Sequence, residues 1–184
     1  RGFEEGITEN VDSPTVGKIA VRVFLSLSAS QRWIIKTTDI KSAFLQGNPI
    51  DRDVFVTPPK EAVVADGHIW KLRRCLYGLN DAARKFYDSV VMELKSLGCV
   101  QSKCDPALFY FKKNSTLCGL LVSHIDDFLH AGNATFDTEV MEKLPLGKQP
   151  GPNRLPNELF RYMSKVFAEP LQEVMNAMRK KGRM

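Results

Sequence analysis

One stretch constrains the chain more than any other: "LLVSHIDDFLHAG", Leu120 to Gly132. Apolar, β-favouring residues run up to two adjacent aspartates, Asp126 and Asp127, and apolar residues resume at once. That pattern reads as two strands meeting at a charged hairpin. Adjacent carboxylates repel each other, and burial raises the cost. A core strand that ends on such a doublet therefore calls for a compensating cation.

The rest of the chain supplies partners for that hairpin. Val16, Ile19, Ala20, Val23, Phe24 and Leu27 recur at helical spacing, which predicts a helix over about 14–30. "RWIIKTTD" reads as a strand ending at Asp39, and "IKSAFLQGN" as a helical turn closed by Gly47. "DVFVTPP" is a short strand stopped by two prolines, and "HIWKLRRCLYG" is a further strand. Ala83, Phe86, Val90, Leu94 and Leu97 form the apolar face of a helix capped by Asn80 or Asp81 and ended by Gly98. "ALFYFKK" and "TLCGLLVSHI" are strands joined through Asn114 and Ser115. This order predicts an α+β fold with a mainly antiparallel sheet and packed helices. Past Gly132 come a short helix, "EVMEKL", and the Pro/Gly-rich linker "PLGKQPGPNRLP". A helical tail follows over 157–184, where the apolar residues read as packing stripes.

Charge is distributed unevenly. The net charge is +5, yet residues 1–144 hold 18 basic and 18 acidic residues. The excess lies in residues 145–184, with 8 basic against 3 acidic, and ends in the cluster "MRKKGRM". Such a cluster can touch phosphate, or simply close a solvated helix. The polar start "RGFEEGITEN" has no signal-peptide core, and no apolar run is long enough to span a bilayer. The expectation is an intracellular chain, cytoplasmic or nuclear and not secreted, with no membrane partner. Its first residues are expected to be a fragment edge, because no initiator Met precedes them. Cys75, Cys99, Cys104 and Cys118 lack zinc-ligand spacing and are expected as reduced packing thiols.

Three carboxylates are the chemical candidates. If the strand ending at Asp39 lies beside the doublet, Asp39, Asp126 and Asp127 converge. Oxygen-only ligation suits Mg²⁺, and two ions about 3.5–4 Å apart serve phosphoryl transfer. Asp-Asp pairs are also ordinary solvated turns. A mixed imidazole and carboxylate site using His124 or His130, as in a metal-dependent hydrolase, stays open. On strand alternation, His124 is expected to share a face with Asp126 and not with Asp127.

Several motifs together resemble copia-type LTR-retrotransposon reverse transcriptases: "TTDIKSAFLQGNPIDRDVFVTPP", "IWKLRRCLYGLNDAARKFY", "LGCVQSKCDPALFYF" and "GLLVSHIDDFLHAGN". They stand in the family's order and spacing across about residues 1–133, a fingers/palm fragment. The resemblance implies a polymerase palm, with Asp39 as the first metal-binding aspartate and Asp126 and Asp127 as the doublet of the YxDD hairpin. These three would be both catalytic and metal-binding, holding two Mg²⁺ ions, with Mn²⁺ as a substitute. The implied partners are an RNA/DNA template-primer and a deoxynucleoside triphosphate. Phe44 falls at the aromatic steric gate against a ribose 2′-hydroxyl, and otherwise packs on its turn. "LYGL" would approach template and nucleotide.

Three positions depart from the family pattern. His124 stands where the YxDD tyrosine packs beside the primer terminus. Asp81 replaces a nucleotide-contacting glutamine and would place negative charge near a triphosphate. Ala83 replaces a proline. The fingers segment upstream and the thumb and RNase H regions downstream are expected to be missing. Instead, residues 134–156 form a short helix and linker. The tail "GPNRLPNELFRYMSKVFAEPLQEVMNAMRKKGRM" resembles the opening of a non-LTR (LINE-type) reverse transcriptase, implying a fusion near residues 133–151. Two functional expectations result. One is a truncated RNA-directed DNA polymerase domain, impaired or inactive as the isolated chain. The other is a non-catalytic retroelement remnant that at most binds nucleic acid.

Overall fold

The charged hairpin forms the middle of the main sheet. A computed structural model describes residues 11–144 and the backbone of 148–150, apart from residues 41, 60, 63, 64 and 66. The expected helical tail over 157–184, and most of the linker before it, lie outside the described residues, as do residues 1–10. The chain is α+β. Helix α1 spans Lys18–Ser30, strand β1 Ile35–Ile40 and the short helix α2 Ala43–Gln46. A separate two-stranded ribbon pairs β2, Phe55–Val56, with β3, Trp70–Lys71. Then come α3, Ala82–Ser96; β4, Val100–Gln101; β5, Leu108–Lys113; β6, Thr116–His124; and β7, Asp127–Gly132. A turn of helix, α4 at Ala134–Phe136, widens into a π-turn over Asp137–Met141, and β8, Lys148–Pro150, closes the order. The main sheet runs β4-β5-β6-β7-β1-β8, and every neighbouring pair is antiparallel.

Alternation along β6 and β7 divides the core into two layers. Leu121 and Phe128 face α3, where Phe86, Val90 and Leu94 are almost fully buried. Leu120, Val122, Leu129 and Ala131 face the other way, against Val21 and Phe24 of α1. Helix α1 is rolled relative to its expected apolar stripe. Ala20, Val21, Phe24 and Ser28 are inside, whereas Ile19 and Val23 are exposed. Ser28 tolerates burial because its hydroxyl donates to the Phe24 carbonyl at 2.7 Å.

Turn chemistry fixes the registers. Asn114 and Ser115 both take positive φ (49° and 63°), the two-residue turn whose twist matches a hairpin. Gly98, at φ 84°, stops α3. The strand expected over "HIWKLRRCLYG" is only two residues long. Its remainder is held individually, with Arg73 O accepting from Ile50 N and Arg74 bridging to Pro49.

The core continues past Gly132. Phe136, Val140, Met141 and Leu144 all join the α3 layer. Gly119 and Gly132 are direct cross-strand partners, and the Phe136 ring lies over both. A Cβ at Gly119 would come within 2.1 Å of that ring, and one at Gly132 within 2.4 Å. The two glycines thus form the slot that docks α4. β8 also pairs with β1, opposing Gln149 to Asp39 within the stretch expected as linker.

Candidate active site: a carboxylate row at the end of the hairpin

β1 and β7 pair so that Asp39 is the direct partner of Asp127. On the other side of β7, His124 is also the direct partner of Asp127. Asp39, Asp127 and His124 therefore form one row across three strands. Directly opposed residues have Cβ atoms about 4.5–5.5 Å apart, so like charges there repel at close range. Asp39 is exposed, and Asp127 and His124 are half-buried.

The row corrects the expectation for His124. Ile125 and Asp126 form a two-residue turn, so alternation does not carry through from β6 to β7. His124 shares its face with Asp127, not with Asp126. Ile125 pays for this turn with φ 57°, a left-handed conformation that a β-branched side chain rarely adopts. Asp126 sits at the turn and its carbonyl accepts from Ile40 N at 3.3 Å, locking the turn onto the end of β1.

His130 occupies the opposite face. It is buried, its Nε2 lies 3.0 Å from Thr38 Oγ1, and its ring packs near Phe136. It does not join the carboxylate row, which removes one of the two histidines on which a hydrolase site would depend.

Tyr77, from the "LYGL" turn, comes down on the carboxylates. Its phenol is held above its ordinary pKa by desolvation first, then by the charges of Asp126 and Asp39 and by a hydrogen bond to Asp126. Its ring stacks on Phe44 at 4.4 Å, and Phe44 in turn meets Phe86 edge-on at 6.3 Å. Phe44 is thus mostly buried, at 9% exposure, while Tyr77 is 60% exposed. Of the two rings, Tyr77 presents the open surface.

Asp81 has a different setting from the one expected beside a triphosphate. Its carboxylate takes two hydrogen bonds from Arg52, at 2.7 and 3.0 Å, and the residue is only 8% exposed. The Cys75 thiol also points at it, at 3.7 Å. Asp81 sits at the N-cap position of α3 but makes no side-chain cap bond, because the guanidinium has claimed both oxygens. Arg52 neutralises the charge and ties the 48–53 loop to α3. No local sequence signal marked Arg52, since the pair spans 29 residues.

The donor set suits a hard divalent cation in chemistry, because Asp39, Asp126 and Asp127 offer only carboxylate oxygens. In spacing it is incomplete. Among the described residues, no three His, Cys, Asp or Glu side chains are placed to close on one ion.

Asp39 and the Asp126–Asp127 hairpin thus meet at one end of an antiparallel sheet that carries helices on both faces. Residues 3–146 match the family described as reverse transcriptase (RNA-dependent DNA polymerase), and the chain belongs to it. Among curated proteins it is similar to the retrovirus-related Pol polyproteins from transposons RE1 and RE2 of Arabidopsis thaliana. It is 33% identical to the first over 123 residues and 32% to the second over 125, or 66% and 67% of this chain. It is also 31% identical over 139 residues, 72% of the chain, to the Pol polyprotein from transposon TNT 1-94 of Nicotiana tabacum. The chain spans only 8–10% of the length of these relatives. No solved structure matches. Among the described residues, no helix is long and apolar enough to cross a membrane.

Proposed function

We propose that this chain is the catalytic palm portion of a copia-type reverse transcriptase, with Asp39, Asp126 and Asp127 as its metal-binding carboxylates. The observation that carries the reading is the direct opposition of Asp39 and Asp127 beside the Asp126 turn. Two carboxylates held face to face are self-repelling, and a bound cation converts that repulsion into attraction. When bound, Mg²⁺ would make a primer hydroxyl more acidic and take up charge on the departing pyrophosphate. The protein's own part is positional. The β1–β7 register fixes two carboxylates, and the strained Ile125 turn presents the third. Tyr77, braced by Phe44, offers an exposed ring beside the carboxylates. His124 flanks Asp127 where a primer end would pack. The nucleic-acid and triphosphate partners belong to this reading.

Primer extension on poly(rA)/oligo(dT) with Mg²⁺ or Mn²⁺ tests it. Incorporation that Asp126→Asn abolishes is the expected result. Folded protein that incorporates nothing would leave the second reading, a non-catalytic remnant. The observation favouring that alternative is the spacing of the carboxylates, since among the described residues no three His, Cys, Asp or Glu side chains are placed to hold one ion.

A further inference from the structure

The row at the end of the hairpin is not made of carboxylates alone. Asp39, Asp126 and Asp127 do not close on one ion as a trio, since among the described residues no three His, Cys, Asp or Glu side chains are so placed. The strand registers instead give two directly opposed pairs that share Asp127. Asp39 faces it across β1 and β7, and His124 faces it across β6 and β7. Asp126 lies in the turn, outside this row. One carboxylate is thus flanked by a second carboxylate on one side and by an imidazole on the other.

The second pair changes the donor chemistry. Directly opposed Cβ atoms stand about 4.5–5.5 Å apart, close enough for a carboxylate oxygen and an imidazole nitrogen to meet at one ion. Asp127 and His124 are both half-buried, so water and substrate can supply the remaining ligands. Mg²⁺ takes oxygen ligands and gives up its water reluctantly. Imidazole suits first-row transition metals, whose affinity for a given site rises from Mn²⁺ towards Cu²⁺. The chain has three histidines, His68, His124 and His130. His130 is buried on the opposite face beside Thr38, and exposed His68 donates from Nδ1 to the Ala65 carbonyl. His124 alone of the three stands in register with a carboxylate of the row.

We propose that His124 and Asp127 together hold a first-row transition-metal dication in preference to Mg²⁺, with the Asp39 charge adding attraction from the neighbouring strand. The inference rests on the palm reading for where the ion sits and adds which ion it is. A side chain without a ring nitrogen at position 124 would leave Asp127 with oxygen partners alone and remove the preference.

Mn²⁺ is the severest probe, being the weakest-bound of these metals, and its unpaired electrons report a coordinated nitrogen directly. Pulsed electron paramagnetic resonance of the full 184-residue chain with substoichiometric Mn²⁺ is expected to show ¹⁴N modulation. The modulation should change to the ¹⁵N pattern when the chain is made with ¹⁵N-histidine, a measurement that needs no altered chain. His124→Tyr should abolish it and weaken Mn²⁺ binding about tenfold or more, at least the loss seen when a group that only supports a metal ligand is removed. Its Mg²⁺ affinity, read by competition, should change less than twofold. His68→Gln should change neither, and circular dichroism checks that both variants are folded. Bound Mn²⁺ without nitrogen modulation in the unaltered chain overturns the proposal and leaves the palm reading standing. So does a folded His124→Tyr chain that keeps the original ratio of Mn²⁺ to Mg²⁺ affinity. A chain that binds neither ion overturns both.

Discussion

At the scale of single residues, the carboxylate row and the Asp81 pair make opposite demands. Asp39 and Asp127 repel across one register step, so Asp39→Asn should raise stability without divalent cations by about 0.5 kcal/mol, the usual size of a cross-strand charge effect. The same variant should lose the rise in melting temperature that millimolar Mg²⁺ or Mn²⁺ gives the parent chain. If Asp39→Asn melts lower in metal-free buffer, the two carboxylates do not face each other as described. Asp81→Gln removes the carboxylate and strands Arg52, whose side chain is 29% exposed. A broken, largely buried pair costs about 3 kcal/mol. Urea unfolding of Asp81→Gln and Arg52→Gln should therefore show similar losses. The double variant should lose far less than their sum, because removing both partners leaves no stranded charge.

At the scale of elements, the glycine slot docks α4 onto the hairpin. Gly119→Ala and Gly132→Ala both drive a methyl into the Phe136 ring, and at Gly132 also to within 2.7 Å of the Cys118 carbonyl. Each should cost about 3 kcal/mol or more, the upper range for overpacking a core. Phe136→Leu should recover part of the Gly119→Ala loss, because that clash is with the ring alone, and little of the Gly132→Ala loss, where backbone is struck too. Equal recovery at both positions in thermal melts would show that Phe136 is not seated between them as described. The element scale also shows where the sequence was readable. α3 and the β5–β6–β7 meander follow from periodicity and turn residues, because their pairings are local and their Asn-Ser and Asp-containing turns have strong preferences. The roll of α1 does not follow. Ile19 and Val23 satisfy helical spacing, but the sheet accepts the stripe one residue over, and only packing against Leu120 and Val122 selects it.

For the whole molecule, the thiols report on the core. Burial pushes Cys99 up to about 12. Cys75 rises to about 11, through burial first and then the neighbouring Asp81 charge. In the unfolded chain both would lose their protons near the ordinary value of 9.0. The folded state holds these protons longer, so their contribution is complete below pH 9 and is lost as pH rises from 9 towards 11 and 12. The urea midpoint should fall across that window, and Cys99→Ala should fall less. A midpoint flat to pH 11 would contradict the burial of these thiols. At pH 8, a thiol reagent should label Cys104 quickly and the buried Cys75, Cys99 and Cys118 only on unfolding.

The motifs alone determined the family and the α+β class, because those signals lie in contiguous words of the chain. They also marked Asp81 and His124 as departures. Only the tertiary structure decided what these departures do: Asp81 is bound to Arg52, and His124 stands in the row with Asp127 and Asp39. It likewise decided that the Tyr77 ring rests on Phe44. The physical reason is the same throughout. Local spacing sets which face a side chain takes, but a long-range neighbour is chosen by how sheets, turns and helices close on one another. A two-residue turn such as Ile125–Asp126 is enough to reverse a face that simple alternation would assign.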